Sequence, residues 1–564
     1  MKDKVIIYQV FNRLFGNPNT TNKFNGTIVE NGCGKFSAFT TKALDEIRSL
    51  GCTHIWYTGV IEHATRTDYS AYGIAKDNPN IVKGNAGSPY AIKDYYDVDP
   101  DLSNDVPNRM KELENLIKRT HKAELKVIID FVPNHVARQY KSDAKPKGVV
   151  DLGANDDTMV NFDPQNDFYY IHNEELKLQF PMQFPKEKYK EKPAKATGND
   201  CFHAYPSVHD WYETVKLNYG VDYQDFGHHH FHPTPDTWVK MRDILMFWAA
   251  KGVDGFRCDM AEMVPVAFWE WVIPQIKEHF HQIIFIAEVY NPTEYHNFIR
   301  HGKFDYLYDK VGLYDTLKEI SKGYKPASAI TGCWQSLGGI DNKMLNFLEN
   351  HDEQRVASEY FLGDPLKAVP ALIVSSTINK GPFMVYFGQE LGEKGMDCEG
   401  FSGRDGRTSI FDYWNPTTVS SWYNDGKCNI SALSKEQQEL RKIYNRILVI
   451  CNEEASIRKG EFYDLMYVNY HNITFNPEKQ YAYIRKYEKE MLLIVTNFDQ
   501  KDVDIAINIP MHAFEFLNIR EGATLNFTDL CTGDTITREL SSSVPFRISV
   551  KAFSGVMMKC FLIE

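Results

Sequence analysis

Four short segments set acidic, basic and imidazole side chains at the ends of apolar runs. They read VIIDFVPNH (127–135), VDGFRCDM (253–260), IFIAEVY (284–290) and MLNFLENHDEQR (344–355). Each opens as a β-branched or aromatic stretch of strand length and closes in polar residues that a fold does not need there. Asp130, Asn134, His135, Arg257, Asp259, Glu288, His351 and Asp352 thus fall at or just past strand ends. Carboxyl groups in that number can supply a nucleophile and a proton donor, with the imidazoles as hydrogen-bonding partners for a polar substrate. Arg257 lies two residues before Asp259, so in a strand both side chains point the same way. A guanidinium beside a carboxylate favours the ionised form, which a nucleophile requires.

Four such strand ends in series describe a site assembled from several parallel strands, the way a (β/α)8 barrel builds its catalytic face. The rest of the chain supplies the elements. A helix is expected at 41–50, with Ala43, Ile47 and Leu50 on one face. A second begins near Pro107 and aligns Val106, Met110, Leu113 and Ile117, and a third carries Trp238, Met241, Leu245 and Trp248. Strands are expected near 5–11, 54–58, 127–131, 253–258, 283–288, 304–308, 344–348 and 383–387. Eight strands with intervening helices predict an α/β fold, a parallel (β/α)8 TIM barrel. After a helix near 434–450 the pattern changes to short alternating strands, QYAYIRKY, MLLIVTNF, VDIAINI, ATLNFTDL and FRISVKAF. These predict a C-terminal antiparallel β-sandwich at 460–564, set off by a linker near 453–462.

Composition narrows the partners. A chain of 564 residues exceeds the usual single domain, and 43% hydrophobic with 24% charged residues is ordinary for a globular protein. A net charge of −12 argues against nucleic acid or an anionic membrane surface and suits a neutral substrate such as sugar. No 18-residue apolar stretch supports a membrane span. The N-terminus MKDKVIIYQVFN has no long apolar h-region. The ten cysteines are scattered without a C-x-x-C pair, which reads as free thiols in a reducing compartment and a cytoplasmic location.

The motifs resemble those of the α-amylase family, glycoside hydrolase family 13. Its signature forms D-x-x-x-N-H, G-x-R-x-D, a strand-end E and N-H-D stand here as Asp130 to His135, Gly255 to Asp259, Glu288 and Asn350-His351-Asp352, in the family's order. The segments VIIYQVFNRLFG (5–16), SPYAIKDYYDVDP (88–100) and GPFMVYFGQELG (381–392) extend the likeness over roughly the first 415 residues. The resemblance implies a catalytic barrel of residues 1–135 and 216–452 with an inserted domain B at 136–215, a Lys-, Asp-, Asn- and Pro-rich stretch of little periodicity. It assigns Asp259 as nucleophile, Glu288 as acid/base and Asp352 as transition-state stabiliser. His135 and His351 are implied to hydrogen-bond the sugar, Arg257 to hold the nucleophile ionised, and Tyr90 to stack under the sugar ring. Glu288 is expected to be protonated at rest, through burial and the neighbouring carboxylates.

Other polar residues have plainer readings. Asp130 is expected to order the loop around His135. Cys258 points away from Asp259 and reads as a small buried apolar residue. The run His228-His229-His230-Phe231-His232 reads as a polar loop, since no cysteine or carboxylate pattern sharpens it into a metal site. No cofactor is required by these motifs; Asn134 sits where many family members place a calcium ligand and equally suits a turn. Three departures bear on specificity: Glu262-Met263 replaces the Lys-His common after the nucleophile segment, Gly59 stands where a proline usually ends the second strand, and Ala91 follows Tyr90 where exo-acting relatives carry Asp.

The expected function is a retaining glycoside hydrolase acting on α-1,4-glucans such as starch or on maltooligosaccharides through a covalent glycosyl-enzyme. An α-glucan transglycosylase or an α-glucosidase would share every catalytic residue. A non-catalytic sugar-binding or interaction protein is the alternative from another class, and the intact carboxylates Asp259, Glu288 and Asp352 weigh against it.

Overall fold

The computed structural model describes residues 4–395, 398–401 and 403–562. Eight parallel strands close into a barrel. They are β1 (Ile6–Phe11), β2 (His54–Thr58), β3 (Lys126–Phe131), β4 (Gly255–Cys258), β5 (Ile284–Ala287), β6 (Tyr306–Tyr308), β7 (Met344–Phe347) and β8 (Phe383–Tyr386). Every expected strand is present within two residues of its predicted bounds.

The two faces of each strand divide the apolar residues. Val5, Ile7, Trp56, Ile128, Ile284, Ile286, Tyr308, Leu345, Phe347 and Met384 fill the lumen as a closed cluster. Their alternates, among them Ile6, Tyr8, Ile55, Val127, Phe256 and Phe285, pack outward against the helices. Two residues beyond Ile7, Ile128, Gly255 and Ile286 the inward positions become Gln9, Asp130, Arg257 and Glu288, all at most 6% exposed. The lumen is thus apolar along its length and charged at its C-terminal rim.

Helices join the strands as expected. The helix Thr41–Ser49 starts at Thr40, whose hydroxyl accepts the Ala43 N–H at 3.2 Å. The helix expected to begin near Pro107 begins instead at Arg109 and runs to Lys122, burying Leu113, Leu116, Ile117 and Thr120. Val106, Pro107 and Asn108 form a separate 3-10 turn ahead of it, where proline's missing N–H costs nothing. Asp236–Ala250 carries the aromatic face before β4, and Lys435–Glu453 closes the barrel behind a Ser434–Gln437 capping box.

Between β3 and the helix Asp236–Ala250 the chain forms three two-stranded ribbons. His135–Ala137 pairs antiparallel with Thr214–Lys216, so the segment between them leaves and returns through one ribbon. Tyr170–Ile171 pairs with Ala194–Lys195, and Val221–Asp222 with His228–His229.

After Lys435–Glu453 the chain builds a six-stranded antiparallel sheet and a two-stranded ribbon. The strands are β9 (Glu461–Asp464), β10 (Gln480–Tyr487), β11 (Glu490–Asn497), β12 (Val503–Ile507), β13 (Ala523–Asp529), β14 (Thr535–Leu540), β15 (Phe546–Val550) and β16 (Ser554–Phe561). The sheet order is β9-β10-β11-β16-β13-β14, with β12 and β15 forming the ribbon. The expected linker near 453–462 is a second helix, Ala455–Lys459, leading directly into β9. Arg485 of β10 fixes it there by donating to the carbonyls of Ser456, Ile457 and Gly460 at 3.2, 2.9 and 3.0 Å.

Candidate active site

Parallel register brings the four motifs together. Arg257 pairs with Asp130 on β3 and with Ile286 on β5, two residues before Glu288. Gly255, Arg257 and Asp259 project inward in turn, while Cys258 is fully buried on the other face, as its alternation predicts.

Arg257 is the hub. Its Nη1 donates to Asp259 Oδ1 at 2.7 Å and approaches Asp130 Oδ1 at 3.5 Å, and its Nε donates to Tyr308 Oη at 3.1 Å. Nη2 lies 2.8 Å from Glu288 Oε2. That contact is out of line for a hydrogen bond, leaving Nη2 without a formal acceptor, so its attraction to Glu288 is coulombic. The guanidinium carbon is 5.2 to 5.4 Å from the ring centres of Trp56, Tyr90 and Tyr308, which cage it in aromatic faces. One guanidinium thus contacts both carboxyl groups.

Glu288 is 3% exposed and accepts the Met260 N–H at 2.8 Å on Oε2 and the Tyr290 hydroxyl at 2.5 Å on Oε1. Met260 reaches it from the left-handed region, φ +43°, an unusual conformation for a side-chain-bearing residue. The local backbone is therefore shaped around the two carboxylates. Arg257 favours the ionised form of Asp259 against the pull of its surroundings. Burial raises the Asp259 carboxyl well above its usual range, Arg257 offsets only part of this, and Glu288 adds to the rise.

Asp352 differs from its neighbours in facing the cleft, with 43% of its side chain exposed. Desolvation opposes its ionisation, but the His351 imidazole and the Arg257 and Arg407 guanidiniums outweigh this and hold the carboxyl down at about 2. Its backbone is fixed by Asn350, whose side-chain oxygen accepts the N–H groups of Asp352 and Glu353 at 2.8 and 2.9 Å. His351 sits 3.0 Å from Asp352 through Nε2, which also meets the Tyr90 hydroxyl at 2.6 Å, and its Nδ1 meets Gln9 at 2.8 Å. The Tyr90 and His351 rings lie 5.2 Å apart, centre to centre.

His135 joins the group through the Tyr90 backbone and packs its ring 5.2 Å from that of Trp211. Burial, with Lys216 and Lys83 nearby, lowers it to about 3, so it is a neutral hydrogen-bonding group. Asp130 does not order the His135 loop as expected. It accepts the Trp56 indole N–H at 3.0 Å and the Gly59 N–H, and so braces the floor beneath Arg257. Gly59 holds φ +78°, where proline can neither sit nor donate. Asn134 donates to the Gly198 carbonyl at 2.8 Å and accepts the buried Lys216 ammonium at 2.7 Å. Lys216 also contacts Asp200 Oδ1 at 2.6 Å. In the histidine run, the expected loop is in part a strand, His228–His229; His228 pairs with Asp225 at 2.8 Å and His229 stacks on Phe231. The three carboxylates Glu62, Asp94 and Asp97 are the group among the described residues close enough to share a metal ion.

All seven residues singled out from the sequence therefore meet: Asp259, Glu288, Asp352, Arg257, Tyr90, His351 and His135. Sequence reasoning missed Gln9, Trp56, Tyr290, Tyr308 and Trp211. Gln9 had a signal, as a lone amide in the apolar run VIIYQVF, and Tyr290 follows Glu288 by two.

Comparison with known proteins agrees with this geometry. A family model described as the α-amylase catalytic domain matches residues 9–460. An α-amylase of Dictyoglomus thermophilum is 24% identical over 455 residues, covering 77% of this chain and 79% of the relative. The trehalose-6-phosphate hydrolase of Bacillus subtilis is 21% identical over 588 residues, covering 88% and 89%. Among solved structures, a maltogenic α-amylase of Thermotoga neapolitana superposes with a TM-score of 0.63 at 19% identity, covering 99% of each chain. No helix among the described residues is long and apolar enough to cross a membrane.

Proposed function

Because the chain belongs to the α-amylase family, and its carboxylates converge on one arginine, we propose that it hydrolyses α-glucosidic bonds of α-1,4-glucans or maltooligosaccharides with retention. The observation that carries this reading is the bridging of Asp259 and Glu288 by Arg257, at 2.7 and 2.8 Å. Glu288 gives its proton to the glycosidic oxygen as the bond from C1 breaks, and an Asp259 oxygen bonds to C1 to form a glycosyl ester. Water then attacks C1, its proton passing to Glu288 and its hydroxyl to the sugar, which releases Asp259. Asp352 faces the cleft as an anion and stabilises the positive charge that develops at the ring. Tyr90 supports the sugar face, and His135 and His351 take its hydroxyls. His351 exchanges its Tyr90 contact for substrate as it does so. In this reading the barrel of residues 1–135 and 216–452 holds the chemistry, the insert 136–215 walls the cleft, and the unit 460–564 has no catalytic part.

Substrate extent follows from Ala91. Its methyl is 1% exposed and packs with Ala64, Val82 and Ala137, so it brings neither charge nor bulk to the cleft beyond the first sugar. The site is read as open there, releasing maltose or longer fragments. Chromatography of early products from maltopentaose tests this. Maltose and maltotriose support it, and glucose as sole initial product from the non-reducing end contradicts it. Products longer than the substrate would make the enzyme a transglycosylase.

A further inference from the structure

The departure Glu262-Met263 has a structural consequence one strand away. The Glu262 carboxylate turns from the cleft to the backbone leaving β5, where its Oε2 accepts the N–H groups of Tyr290 and Asn291 at 2.9 and 3.0 Å. Asn291 in turn accepts the N–H and hydroxyl of Thr293 at 3.1 and 2.8 Å, which starts the 3-10 turn Pro292–Glu294. Glu262 thus clamps the loop carrying Tyr290 from the β4 side. The Tyr290 hydroxyl then donates to Glu288 Oε1 at 2.5 Å, while the Met260 N–H holds Oε2 at 2.8 Å. Both oxygens are fixed, one by backbone and one by a phenol, so the carboxyl cannot rotate without breaking one of these hydrogen bonds.

We propose that Tyr290, held in place by Glu262, is a positioning residue that fixes the orientation of Glu288 for proton transfer to the leaving oxygen. This rests on Glu288 being the acid/base. Burial, and then Glu288 itself, raise the Tyr290 phenol well above its usual range, so it is a hydrogen-bond donor throughout any working pH. Glu262 acts through the Tyr290 and Asn291 backbone and not on the sugar.

Tyr290→Phe keeps the ring and removes the donor. With maltooligosaccharides kcat is expected to fall roughly 10- to 100-fold with KM changed less than about threefold. A donor to a carboxylate favours its ionised form, so removing it should move the alkaline limb of kcat/KM to higher pH. With an aryl α-maltoside whose phenol leaves without protonation, the loss should shrink to about twofold, since proton transfer no longer limits. Glu262→Ala should reproduce these effects. Glu262→Gln, whose carbonyl oxygen can accept both N–H groups, should restore near-wild-type behaviour. A Tyr290→Phe enzyme with wild-type kcat and pH profile overturns the proposal, as does an equal loss on both substrates, which marks a merely structural role. Glu288→Gln run alongside separates the two failures. If it stays active on maltooligosaccharides, the reading of Glu288 itself has failed.

Discussion

Two arginines, Arg257 at the barrel rim and Arg485 in the C-terminal sheet, are 0% and 1% exposed and answer burial in opposite ways. Burial works against both charges. At Arg257 the carboxylate of Glu288, the phenols of Tyr308 and Tyr90 and the carboxylate of Asp259 outweigh it and raise the guanidinium well above its usual range. At Arg485 burial wins and lowers it to about 10, because the hydrogen-bond partners are carbonyls, those of Ser456, Ile378, Ile457 and Gly460. A buried charge alone therefore marks no active site. Carboxylates packed around one leave reactive groups in tension; carbonyls around the other make a staple between the barrel, the helix Ala455–Lys459 and β10.

Removing the reactive groups is the harshest way to break that comparison. Asp259→Asn and Glu288→Gln should each lower turnover by roughly 10²–10⁴ or more, with the thermal midpoint little changed. Arg257→Gln should cost roughly 10²–10³ in kcat. Arg485→Met should leave kcat per folded molecule intact and lower stability by about 2–4 kcal/mol in denaturant titrations, as the carbonyls lose their donors. An Arg485→Met enzyme that keeps its stability but loses turnover would reverse the two roles.

Smaller effects sharpen the contrast. Burial lowers His54 at the base of β2 from 6.5 to about 3. The stability this neutral histidine contributes is complete above pH 6.5. As pH falls toward 3 the unfolded chain binds a proton that the folded one refuses, and that stability is lost. His54→Asn should therefore flatten the acid side of the stability curve by up to about 1.4 kcal/mol per pH unit across that window. Glu539→Ala, on the exposed face of β14, should leave turnover within about twofold of wild type.

The sequence made the barrel legible because buried parallel strands read as near-continuous apolar runs, and a polar residue closing such a run is conspicuous. Asp259, Glu288 and Asp352 were visible for that reason. Tyr308 and Trp56 were not, because an inward aromatic in a barrel strand reads as core until a guanidinium is found over its face. The role of Asp130 went astray because it lies nearer His135 in sequence than Arg257, while register pairs it with Arg257. In the C-terminal sheet β9, β14 and β16 escaped notice; the residues of β14, TITREL, are mostly exposed and show no apolar alternation. The helix Ala455–Lys459 looked like a linker because nothing local marks Arg485, some thirty residues on, as the donor that secures it.

The central claim, that Asp259 and Glu288 form a nucleophile and acid pair working through a covalent intermediate, is tested most directly by proton NMR of the first products from maltopentaose. Two inversions at C1 predict the α-anomer ahead of mutarotation. The β-anomer appearing first would mean direct displacement by water and would contradict the account.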